Sequence, residues 1–154
     1  MIRTSYFARV ISEPLLREWP VVVSANVPGY FREIPYTHAP LLAPTWELIS
    51  DYKSGRCDID QYIDRYFDLV CKQRKLSAKK IVDIIGDNAT LVCYEKVGDF
   101  CHRHLISDII NRSTLGICVA EATKTGDPAV DAWTSNIQHK LRLRSLLTDR
   151  PIQL

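Results

Sequence analysis

The chain contains no run of about 18 consecutive apolar residues, so nothing in it reads as a membrane span. Its start, Met1-Ile2-Arg3-Thr4-Ser5-Tyr6, lacks the apolar middle region of a secretory signal peptide, and a cytosolic protein is expected. Charge of one sign is also missing. With 25% charged residues and a net charge of +2, the whole protein gives no polyanion-binding signal, and any basic patch must be local. The five cysteines, Cys57, Cys71, Cys93, Cys101 and Cys118, are odd in number and dispersed. That excludes the dense framework of a small disulfide-rich secreted protein and predicts reduced thiols.

What is present is core-forming material. With 46% of its 154 residues apolar, the chain can build one globular domain over residues 1–154. Residues 3–10 read as a first strand, and Ser12-Glu13-Pro14 opens a short helix over residues 15–19. Val21-Val22-Val23-Ser24-Ala25 is a continuous β-branched run, the pattern of a strand buried on both faces of a parallel sheet. Residues 26–43 hold Pro28, Gly29, Pro35 and Pro40 and keep neither a helical nor a strand period, so a long loop is expected there. It leaves the carboxyl end of a parallel strand, where ligands of open α/β sheets bind, and Arg32, Tyr36 and His38 would be its polar contacts.

Residues 44–53 form a helix that Gly55 ends in the left-handed conformation. Asp58 and Gln61 make a capping box, after which Ile59, Tyr62, Ile63, Tyr66, Phe67 and Val70 follow the spacing of one buried helical stripe. A further helix over residues 77–85 stops at Gly86-Asp87-Asn88, and strands follow over 91–95 and 115–120. Strands alternating with helices imply a three-layer α/β architecture, Rossmann-like and doubly wound, with a mostly parallel sheet. Thr125-Gly126-Asp127-Pro128 opens a last helix over about 127–148, marked by Val130, Trp133, Ile137 and Leu141. Its later half carries His139, Lys140, Arg142 and Arg144, with Arg150 beyond. These read first as a solvated face complementing the helix terminus, and second as a weak nucleic-acid contact, since no groove-reading motif accompanies them.

Chemistry concentrates between Leu91 and His104. Asp99 is the natural N-cap of the helix that follows, which puts Phe100, Cys101 and His102 in its first turn and makes the helix start a weakly positive place for phosphate or carboxylate. Arg103 adds a permanent charge. Cys101 in that setting should have a lowered pKa, making it the leading nucleophile. Cys93 and Glu95, two apart on a strand, face one side of the sheet, and Glu95 can act as acid, base or acceptor or else pair with Arg103 or Lys96. His102 is favoured over His104 as the second catalytic group by its place nearer the terminus. Cys93, Cys101, His102 and His104 are all competent zinc ligands. Against metal, the spacing is C-x7-C-H-x-H, adjacent Cys101 and His102 would diverge on a helix, and no second paired cluster exists, so no metal and no cofactor is assigned.

The segments Leu91-Val92-Cys93-Tyr94-Glu95 and Phe100-Cys101-His102-Arg103-His104-Leu105, with Gly98 between them, resemble the signature of the family known as domain of unknown function 488. Thr4-Ser5-Tyr6-Phe7, Pro44 with Leu48, Tyr52-Lys53 with Gly55, and Tyr62 with Tyr66 are similar to that family's pattern as well, and the likeness spans residues 3–120. The resemblance implies an α/β fold and a cytosolic, often prokaryotic or viral setting, without naming a reaction. It implies site roles for Cys93, Glu95, Cys101, His102 and Arg103, and adds Tyr6 and Lys53. The segment beyond residue 122 departs from the family's pattern and reads as an addition to the core.

Two functions of different classes follow. One is a small enzyme acting on a nucleotide, modified base or other anionic metabolite, with Cys101, Glu95 and His102 catalytic and Arg103 holding the anion. The other is a protein that binds or senses such a ligand without turnover. A membrane partner is not expected, and the oligomeric state is left open, with Ile117 and Trp133 available for a dimer face.

Overall fold

The computed structural model describes residues 1–96 and 99–122. The expected turn at Gly98, the expected helix over 127–148 and its basic residues, and Trp133 lie outside the described residues. Among the described residues no helix is long and apolar enough to cross a membrane.

The described chain forms a five-stranded sheet in the order β3-β2-β4-β1-β5, from β1 (Ile2–Tyr6), β2 (Pro20–Val22), β3 (Thr37–His38), β4 (Ala89–Cys93) and β5 (Val119–Glu121). Every pairing is parallel. Helices cover both faces, so the architecture is the α/β sandwich expected. α1 (Phe7–Ser12) lies on one face, where Phe7, Val10, Leu16, Val22, Phe31 and Val92 form a small core. On the other face α2 (Trp46–Lys53), α3 (Ile59–Phe67), α4 (Ala78–Ile85) and α5 (His102–Asn111) enclose the main core. β4 is central and wholly buried, as its apolar run requires, and each fully buried Leu or Val there contributes about 1.5–3 kcal/mol.

Local signals set most helix ends. Thr45 and Ser77 cap α2 and α4 by accepting hydrogen bonds from the amides of Leu48 and Lys80. Asp58 and Gln61 form the capping box of α3, which runs on into a π-helical turn over Asp68–Gln73. Gly55 and Gly86 take φ of 75° and 84°, the left-handed region in which a side chain is strained.

Several boundaries differ from the sequence reading. The first strand stops at Tyr6 and the chain turns at once into α1, because Phe7 and Val10 are needed on the second face. The expected helix over 15–19 is a 3₁₀ turn at Pro14–Leu16. The stretch expected to be structureless contains β3, an edge strand held by backbone pairing to β2, flanked by 3₁₀ turns at Gly29–Phe31 and Pro40–Leu42. The strand expected over 115–120 is β5, which begins at Val119 and includes Glu121.

Candidate functional site

β1 and β4 are neighbours, and their connections leave to opposite faces of the sheet, α1 on one and α5 on the other. A crevice at the carboxyl ends of two such strands is where ligands bind in open α/β sheets. Register pairs Tyr6 with Cys93 at this point, so both project to the α5 face.

The helix begins later than Asp99 suggested. Cys101, with φ −148° and ψ 147°, is the N-cap, and α5 begins at His102. Asp99 is not the cap because Phe100 first has to be buried, its ring lying 5.7 Å from that of Tyr52 and 5.2 Å from that of Tyr62. This shift of two residues reverses a sequence argument: Cys101 and His102 do not diverge, since one is extended and the other helical. Cys101 Sγ lies 3.7 Å from His102 Nδ1, and Cys93 Sγ lies 3.8 Å from the same nitrogen. The two sulfurs and Nδ1 are all within 4.8 Å of one another, and all three residues are buried.

His102 Nε2 is 3.0 Å from the Val23 carbonyl, which can only accept, so Nε2 carries a hydrogen and Nδ1 is turned to the sulfurs. The Tyr66 ring lies 5.7 Å from the imidazole, and its hydroxyl donates to Leu42 O at 2.6 Å. Cys93 donates to Glu95 Oε2 at 3.3 Å. Electrostatically the two thiols are unequal. Burial opposes ionisation of Cys101, but the hydrogen bond from Cys93 and the charges of His102 and Arg103 outweigh it and hold its thiol well below the usual range. His102 is correspondingly pushed up, burial being overcome by the Cys101 charge. The Cys93 thiol is pushed well up by its bond to Cys101 and by burial. Burial, then the Cys101 charge, raises the Glu95 carboxyl. Cys101 as thiolate beside imidazolium, with Cys93 as thiol donor, is the state these directions describe.

Arg103 is fully buried. It meets Glu121 with Nη2 at 3.1 Å and Nε at 3.3 Å, and donates to the carbonyls of Glu95 at 2.6 Å and Lys96 at 3.4 Å. Glu121 also takes His104 Nε2 at 3.1 Å and the Thr4 hydroxyl. Burial would raise the Glu121 carboxyl, but His104 and Arg103 bring it down to about 2. In this arrangement the guanidinium ties the end of β4 to β5 and engages protein acceptors with its fork.

A family model described as the active DUF488-N3 subclade matches residues 14–114. The chain belongs to the DUF488 family. No curated protein and no solved structure matches it. The matched span contains the C-x-E and C-H-R segments of the DUF488 signature, and the fold brings Cys93, Glu95, Cys101 and His102 of those segments into one cluster.

Of the other residues singled out from the sequence, Tyr6 stands beside Cys93 in the sheet register and the rest sit elsewhere. Lys53 is exposed at the end of α2, next to the Tyr52 that packs on Phe100, and Tyr6 is half-buried at the end of β1. Tyr36 packs 5.9 Å from Phe31 on the α1 face, and His38 Nε2 bonds Ser24 O at 2.9 Å. Arg32 is exposed, and its charge acts on Tyr94, which stands 4.9 Å from Phe7 on that face. Among the described residues no hydrogen bond or ion pair joins these side chains to the DUF488 cysteine cluster. The residue missed from the sequence is Glu121. Its signal was an acid ending an apolar strand, the same argument that singled out Glu95.

Proposed function

We propose that this DUF488 protein is a small cytosolic enzyme acting on an anionic substrate of the nucleotide or modified-base class. Cys101 is the nucleophile, His102 receives its proton, and Glu95 exchanges a proton with the substrate. The observation that carries this reading is His102 anchored through Nε2 on Val23 O with Nδ1 3.7 Å from Cys101 Sγ. An imidazole held this way can take the thiol proton and stay as counter-ion, which is how cysteine nucleophiles are activated. Glu95 is half-buried beside the cluster, and burial and the Cys101 charge raise its carboxyl, the direction that suits a proton donor to a leaving group.

The anionic substrate is supported by place. The cluster lies at the carboxyl ends of β1 and β4 and at the N-terminus of α5, both favourable to phosphate or carboxylate. Arg103 enters as a positioning residue, because Glu121 and two carbonyls already occupy it. The description of the matching family as an active subclade accords with chemistry at the site.

Turnover of a panel of nucleotides, nucleosides and modified bases, followed by mass spectrometry, tests this. Cys101→Ser should lower any turnover by about a thousandfold, with Cys118→Ser near wild type. Undiminished turnover in Cys101→Ser, or none with any member of the panel, would reject the assignment.

A further inference from the structure

The sulfur and nitrogen atoms of the cluster also satisfy a different chemistry. In a tetrahedral zinc site, with metal–sulfur bonds of about 2.3 Å and metal–imidazole bonds of about 2.0–2.1 Å, the sulfur-to-nitrogen edges come to about 3.6 Å and the sulfur-to-sulfur edge to about 3.8 Å. Here Nδ1 of His102 lies 3.7 Å from Cys101 Sγ and 3.8 Å from Cys93 Sγ, with the sulfurs within 4.8 Å. We propose that Cys93 Sγ, Cys101 Sγ and His102 Nδ1 form a site for one thiophilic divalent ion of the zinc class, with Glu95 or a water as fourth ligand, and that its binding masks Cys101.

Three further features fit. Ligating histidines nearly always donate their second nitrogen to a carbonyl or carboxylate, and His102 Nε2 already donates to Val23 O. Glu95 Oε2 lies 3.3 Å from Cys93 Sγ, close to the length of a tetrahedral edge. Two sulfurs and one imidazole favour zinc over hard cations such as magnesium or calcium, which take oxygen ligands. Binding releases two protons to solvent, one from the Cys93 thiol and one from His102 Nδ1, which must be bare to ligate. The inference rests on the same convergence of side chains as the catalytic reading. A loaded site is the resting form, and loss of the ion frees the nucleophile.

The test uses the full chain, stripped with a chelator and titrated with zinc or cobalt(II). One ion per chain should bind, cobalt should give a sulfur-to-metal charge-transfer band, and Cys93→Ser should weaken binding at least tenfold, with Cys118→Ser unchanged. If Cys93→Ser does not fold, the wild type still decides the matter: one equivalent of zinc should slow alkylation of both Cys93 and Cys101 at least tenfold. A cobalt spectrum without a thiolate band, or alkylation unchanged by zinc, overturns the metal site. A metal-free protein whose Cys101 forms no adduct overturns the nucleophile instead, so the two failures are distinct.

Discussion

Glu121 closes the edge strand β5 with its side chain buried, and it receives the equally buried guanidinium of Arg103, 3.1 Å away, from the first turn of α5. The same guanidinium binds the Glu95 carbonyl, so one ion pair fixes the start of the helix, the edge of the sheet and the backbone beside Cys93. Asn111 adds a second tie at the far end of α5, with Val119 N donating to Oδ1 at 2.7 Å and Nδ2 donating to Val119 O at 3.0 Å.

Removing one member of a buried pair leaves the other charge uncompensated. Glu121→Ala is therefore expected to destabilise the protein by about 3–5 kcal/mol, read as a lower urea midpoint. A loss under about 1 kcal/mol would show that Arg103 finds other acceptors.

The pH dependence has a definite sign. Glu121 is lowered from 4.5 to about 2 in the folded state, so its stabilisation is complete above the unfolded value and disappears as pH falls from 4.5 towards 2. The shift corresponds to about 3 kcal/mol. Urea unfolding at a series of pH values should show wild type losing that much more than Glu121→Gln across this window, and parallel curves would contradict it.

The capping box allows a cleaner, smaller test. Asp58→Ala removes the acceptor for the Gln61 amide at 2.8 Å and should cost about 1 kcal/mol in thermal or urea unfolding, without touching the cysteine cluster. An effect on Cys101 reactivity would couple α3 to the site.

How much of this was legible in the sequence depended on how local the cause was. The capping box, Gly55 and Gly86 act within a few residues, and each set its boundary as read. The apolar run of β4 announced a central strand. Thr37 and His38 carry no strand pattern, and β3 exists because the edge of β2 offers them pairing partners. Asp99 has the better capping chemistry, yet Cys101 is the N-cap because the burial of Phe100 and the reach of Arg103 to Glu121 outweigh a local preference. The same non-local cause brought Cys101 and His102 together and hid Glu121, whose partner is 18 residues away in sequence.

The most direct measurement is the order in which thiols react in the metal-free, folded protein with a small alkylating agent at neutral pH, read by peptide mass spectrometry. Cys118 is exposed and Cys101 only 3% exposed, so access alone makes Cys118 the faster. The expected result is that Cys101 is modified first and that His102→Ala abolishes its lead, since the reacting species is the thiolate that His102 stabilises. Modification of Cys118 first, with Cys101 untouched until the protein unfolds, would contradict the central assignment.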